Sequence, residues 1–343
     1  MGLTIHYGLT SKTRSTEKAK ALIERMRQLA LDLPFEKVDD QVQHLGPDVC
    51  QRPLDDLRPE QRLFSAVLDG CQHVNIPWHR KQHGSVTVQP LEILSFSTIP
   101  GSGSEWASFG LARYPAEIEV TYCPQDDDRF IKTIKNGGST RWQFDWARWE
   151  RWLESNGHNR WEHPRDEKFQ EKRKIKTRLD SGWRYSSFCK TQYASDAHCG
   201  GIPNFIRCHL CVIHLLDRIG ELPTMKAEIN DEGKYGRSYY TDEPWADKRV
   251  YTWHDGQYDV KALVEEVGDW NEMIAATFGA LNDVLKANWS AISLESPISS
   301  FPNFEHLEFK GQQNHQYLAS FLQVMKQMAD QQRATGEASP QEK

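Results

Sequence analysis

No stretch of the 343 residues stays apolar for the roughly 18 positions that a membrane-spanning helix needs. The opening MGLTIHYGLTSKTR lacks the basic start, apolar stretch and small-residue cleavage site of an export signal. The sequence therefore predicts a soluble cytoplasmic protein without a membrane partner. An excess of basic residues is missing as well. Lys plus Arg number 42 against 48 Asp plus Glu, for a formal net charge of −6. Nucleic-acid binding would thus have to come from a local patch. Cysteine is sparse and odd in number: Cys50, Cys71, Cys123, Cys189, Cys199, Cys208 and Cys211. That count excludes a dense disulfide scaffold and fits reduced thiols. HExxH, GxSxG, phosphate-loop and dinucleotide-binding patterns are absent, and the cofactor is unknown from sequence. GSGSE at 101–105 lacks the lysine of a phosphate loop and reads as a hairpin turn. His73, His79 and His83, beside Trp78, fit no metal spacing and read as surface residues.

At 38% hydrophobic and 26% charged residues, the chain has enough apolar material for a core. Leu3 to Tyr7 alternates apolar and polar residues, the pattern of a half-buried strand. From Glu17, the residues Ala19, Leu22, Met26, Leu29 and Leu33 step by three and four along one helix face until Pro34. Phe35 to Val42 reads as extended. A similar order follows residue 183: an extended Trp183–Tyr193, a loop with Gly200 and Gly201, a helix from about Pro203 to Ile219, and a strand at Met225–Ile229. The two endings, LALDLPFEKVDDQV and LLDRIGELPTMKAEI, suggest a duplicated strand–helix–strand unit. Val86–Val88, Leu91–Thr98 and Phe109–Val120 read as further strands. A long helix is expected over 259–288, capped by Asp259, and another over about His315–Ala329. The expected fold is α+β: a mixed or mainly antiparallel sheet with helices on one face. Residues 1–123 with 181–290 would form the core, 124–180 a Trp-rich basic insertion, 291–330 a C-terminal extension and 331–343 a disordered tail.

Functional residue types are densest in SSFCKTQYASDAHCGGIPNFIRCHLCVIHLL, residues 186–216. The order strand, Gly-Gly loop, helix exposes unpaired N–H groups where an anion can approach. Lys190 and Arg207 would supply balancing charge, with Gln192, Tyr193 and Asn204 as further ligand contacts. Cys189 is the candidate nucleophile and His209 the candidate base, although a thiol beside Phe188 also reads as an inert core residue. Arg207 and His209 sit on a mostly apolar helix and need partners: a ligand, a backbone carbonyl or a core carboxylate. Cys199, Cys208 and Cys211 with a histidine match zinc in ligand type. Cys208 and Cys211 lie inside an apolar helical stretch, however, so no metal is expected. The run SFCKTQYAS, then GG and NFIRCHL, with EVGDWNEMIAA downstream and MGLTIHY at the start, resembles a family of uncharacterised bacterial proteins. The resemblance covers about half the chain and implies kinship without a reaction.

The insertion offers a second reading. Trp142, Trp146, Trp149 and Leu153 fall at i, i+4, i+7 and i+11, one helix face, with Arg141, Arg148 and Arg151 beside it. Over 165–178, seven Lys or Arg (among them Lys172, Arg173 and Lys174) face three acids. Either this stripe docks on the main domain, or it stacks and neutralises single-stranded nucleic acid. Two expectations follow: a small anionic ligand at 189–209, with enzymatic activity open, or nucleic-acid binding through 141–178.

Overall fold

The computed structural model describes residues 3–77, 84–136, 139–233, 260–288 and 295–314. The chain runs β1 (Thr4–Ser11), α1 (Thr16–Leu31), β2 (Lys37–Val38), β3 (Gln43–Leu45), α2 (Pro47–Cys50), α3 (Leu54–Leu57), α4 (Gln61–Gly70), β4 (Gln72–Asn75), β5 (Ser85–Val88), β6 (Glu92–Ile99) and β7 (Ala107–Arg113). It continues through β8 (Glu117–Tyr122), β9 (Ile131–Asn136), β10 (Ser139–Phe144), α5 (Trp146–Ser155), β11 (Glu171–Lys176), β12 (Trp183–Lys190), α6 (Gly201–Gly220), β13 (Met225–Asp231), α7 (Val260–Asn288) and α8 (Phe304–Asn314).

The fold is α+β around an antiparallel sheet ordered β13-β1-β12-β7-β6-β2, with β3 also paired to β6. Its first four strands and the helices α1 and α6 form a split β-α-β arrangement. Alternation fixes which face is covered. Leu3, just before β1, and Ile5, Tyr7 and Leu9 on it are buried, while His6, Gly8 and Thr10 are not. The buried set joins Ala19, Ile23, Met26 and Ala30 of α1 and Phe205, Cys208, Val212 and Leu216 of α6 in the main core. Ser15 caps α1 by accepting from Lys18 N at 3.3 Å. The α1 stripe is turned slightly from the expected one: Ile23 and Ala30 are buried, and Leu22 and Leu29 are its half-buried flank. α1 and α6 share one face of the sheet, but α2–α4 pack on the opposite face in a second cluster with Leu57, Val67, Ile93, Ala112 and Tyr114, so the helices are not confined to one face as expected.

The two strand–helix units are not equivalently placed. β13 pairs with β1, whereas β2 pairs with β6 at the far edge. The predicted strand 109–120 is divided at Pro115 into β7 and β8. β8 pairs with β11 as a ribbon leading to the insertion, whose own core holds Phe130, Ile131, Phe144, Trp149, Leu153 and Phe169. α7 reaches the main core through Leu263 and Val267. α8, unanticipated in the sequence, packs on α7, and a Cβ on Gly311 would collide with the Glu272 carbonyl. Asp259, His79, His83, the expected helix 315–329 and the tail 331–343 lie outside the described residues. No helix among the described residues is long and apolar enough to cross a membrane.

Candidate functional site

The residues expected at 189–209 do not converge on a water-filled cleft. Cys189 is fully buried and its thiol donates to the Glu105 carbonyl at 3.3 Å. Burial drives its pKa far up, with Glu105 and Cys208 adding to the shift. A nucleophilic thiolate needs the opposite environment. Iodoacetamide at mildly alkaline pH is expected to leave Cys189 unmodified until denaturant is added, as read by peptide mass spectrometry. A native adduct at Cys189 forming as fast as one at the half-buried Cys199 would contradict this assignment.

His209 is also fully buried. Its Nδ1 lies 2.9 Å from Thr191 Oγ1 and its Nε2 3.1 Å from Asp231 Oδ2. A base must reach its substrate's proton; sealed at this position, His209 joins α6 to β12 and β13 instead. Gln192, with no exposed surface, accepts from Leu3 N at 2.9 Å and donates to Asn271 Oδ1 at 2.8 Å. Tyr193 packs edge-on against Phe301, 6.5 Å between centroids. Asn204 donates to Ser102 O at 2.8 Å and Ala194 O at 3.1 Å.

Arg207 is a clamp. Its guanidinium donates to Pro34 O at 2.8 Å, Pro100 O at 3.0 Å and Asn204 Oδ1 at 2.8 Å. It thereby ties the end of α1 to the β6–β7 turn. Lys190 pairs with Glu105 at 3.3 Å. Both cations expected to hold an anion are engaged by the protein itself. Gly200 and Gly201 do adopt the positive φ values, 108° and 68°, that turn the chain into α6. Cys208 and Cys211 are buried on α6, and among the described residues no three His, Cys, Asp or Glu side chains are grouped to hold a metal.

The nucleic-acid set is likewise dispersed. Trp142 is on β10, not on the helix with Trp146 and Trp149. Trp149 is fully buried and donates Nε1–H to Glu162 O at 2.9 Å. Trp146 is exposed but packs against Phe144 and His163. Arg148 donates to Arg129 O at 2.7 Å. The 165–178 run forms mostly a strand ribbon. On it Lys172 pairs with Glu119 at 2.8 Å, Lys174 stands opposite Glu119, and Arg173 pairs with Glu171 while its guanidinium sits 3.5 Å from the Tyr122 ring centroid. Opposed carboxylates on the same ribbon neutralise the charge that phosphate binding would use.

A cleft does exist, on the other side of the sheet. Over β13, β1 and β12 the even-numbered residues face away from α1 and α6. Register places His6 between Phe188 and Asn230, and Gly8 between Ser186 and Glu228. The C-terminal end of α4 adds Leu68, Asp69 and the following Cys71 as a wall. Together they line an open depression of about 670 Å³. Gly8 leaves the floor low: a Cβ there would meet nothing nearer than Ser186 Oγ at 3.8 Å. Phe188 is 41% exposed, and its ring centroid lies 6.0 Å from that of His6.

Asp69 is the titratable group that stands out. Burial pushes its pKa up to about 6, against the hydrogen bond donated by Ser187 Oγ at 2.8 Å. The folded protein thus holds this proton more tightly than the unfolded chain does. The stability linked to it is present at acid pH and lost as pH rises from about 4 through about 6. Cys71 beside it is pushed up to about 11, by burial first and by Asp69 second. Comparison with protein-family models, curated proteins and solved structures gives no match to this chain.

Proposed function

We propose that the protein binds a small molecule in the cleft between α4 and the face of β13, β1 and β12 that α1 and α6 leave uncovered. The observation that carries this reading is the concave space above Gly8, whose lining includes both an exposed aromatic ring, Phe188, and the Asp69 carboxyl, whose pKa is raised toward neutrality. Concavity, an apolar floor and a few fixed polar groups are what small-ligand sites share. The reading moves the ligand from the 189–209 cluster to the opposite side of β12. Another cleft, at the start of α1, is lined by Lys12, Arg14 and Lys18, but none of its lining residues is buried. Seven free thiols support a reducing, cytoplasmic setting. Kinship with the bacterial family suggested by SFCKTQYAS and NFIRCHL remains part of this proposal.

Gly8→Phe tests the site. Phenylalanine suits a strand better than glycine, and its ring projects into the cleft. Ligands found by thermal-shift and ligand-observed NMR screening are expected to lose saturable binding in this variant, while its Tm stays close to that of the parent. Hits that bind Gly8→Phe unchanged would remove the cleft as the site.

A further inference from the structure

The polar groups of this cleft have a sign. Asp69 Oδ2 is held by Ser187, and the other carboxylate oxygen has no hydrogen-bond partner among the described residues. Glu228 lines the same space, paired with its neighbour Lys226, and among the described lining residues His6 is the one basic side chain, 3.7 Å from Glu232. Lys190, the nearest lysine on β12, is 5.5 Å from the Phe188 ring centroid, but it is paired with Glu105 and outside the lining. A carboxylate on a partly desolvated wall is stabilised by a donated hydrogen bond, most of all by a charged donor. The exposed Phe188 ring offers a face to a planar group and, through its quadrupole, to a cation.

Resting on the cleft reading above, we infer that the ligand is a planar or aromatic molecule bearing a protonated nitrogen, which Asp69 accepts while Phe188 stacks on the ring. An anion would meet the Asp69 carboxylate here, while the Glu228 charge is already matched by Lys226. The groups facing Asp69 are Cys71 from the α4 end, Tyr7 on β1, Tyr185 and Ser187 on β12, with His6 and Glu228 lining the same cleft. Burial raises the pKa values of Tyr7 and Tyr185 well above the ordinary tyrosine value, so both stay neutral. The charge change near neutrality that bears on the ligand therefore belongs to Asp69. Protonation of Asp69 removes the negative charge of the wall as pH falls, so cation binding weakens in that direction.

Benzamidine, benzamide and benzoate, three rings of one shape and different charge, test the inference by titration with NMR detection on the full chain. Benzamidine is expected to bind best and to shift the amides of Gly8 and Ser186. Asp69→Asn, which keeps an acceptor for Ser187, is expected to weaken it about tenfold, the loss of one charge-assisted hydrogen bond. Between about pH 7 and about pH 5 the parent should lose benzamidine affinity, benzamide should show no such trend, and Asp69→Asn should flatten most of it. The wild-type pH series decides the matter even if the variant fails to fold. Benzamide or benzoate binding as tightly as benzamidine, or benzamidine unaffected by both pH and Asp69→Asn, would overturn the ligand class and leave the cleft standing. If none of the three binds at millimolar concentration, or all bind equally well to Gly8→Phe, the cleft itself falls.

Discussion

Trp149→Ala is expected to destabilise the insertion by about 3–5 kcal/mol, the range for deleting a large buried aromatic. The indole sits at the centre of a ring cluster. Phe130 and Phe169 meet it edge-on, at 5.2 and 5.0 Å, and Trp152 stacks at 4.9 Å. Its Nε1–H also holds Glu162 O. This cluster shares no buried residue with the main core, so its loss should stay local. Hydrogen exchange is the measurement. Amides of β9, β10 and α5 should lose protection while those of β1 and β12 keep it. Equal loss in both places would show that the insertion and the sheet unfold as one unit.

Arg207→Ala is expected to cost about 2–3 kcal/mol of global stability, through stranded carbonyls and the packing of the aliphatic stem. The guanidinium meets acceptors from three separate segments, at Pro34, Pro100 and Asn204. Arg207→Lys should recover little of this, because one ammonium cannot spread over the same fork of acceptors. Equilibrium urea unfolding reads both variants. Ligands that bind the cleft should bind Arg207→Ala with unchanged affinity under conditions where it is folded. A variant with wild-type stability but lost ligand binding would return Arg207 to a site role.

The strands and long helices were legible because burial follows period. Odd residues of β1 and the three-and-four steps of α1 carried that signal, as did the Gly-Gly turn into α6. Residues 124–180 stand out in composition, and within them Phe130, Phe144, Trp149, Leu153 and Phe169 form a separate hydrophobic cluster. The role of the 186–216 cluster was not legible. Sequence shows that Arg207 and His209 need partners, but those partners come from Pro100, 107 residues away, and from Asp231 across a strand crossover. Asp69 and Ser187 are separated by 118 residues, so no local pattern joins them. Two signals did point to the cleft: Gly8, an isolated glycine inside an alternating strand, and Phe188, an apolar residue on the otherwise polar side of β12. Both make sense once Gly8 stands opposite Ser186 and His6 opposite Phe188.

β1 lies between β12 and β13, so Thr4 meets Lys190 on one edge and Ile5 meets Asp231 on the other. On a ribosome adding about 5–20 residues per second, the first strand is made on the order of 10–40 s before its last neighbour. Until β12 is made Ile5 and Leu9 have neither hydrogen-bonding edge completed, and until β13 is made they still lack one. Nascent chains halted before residue 183 will therefore present an apolar ribbon with two open sides, a substrate for chaperones or a seed for aggregation. The architecture ties the order of synthesis to a period of vulnerability that ends only when α6 and β13 have left the exit tunnel.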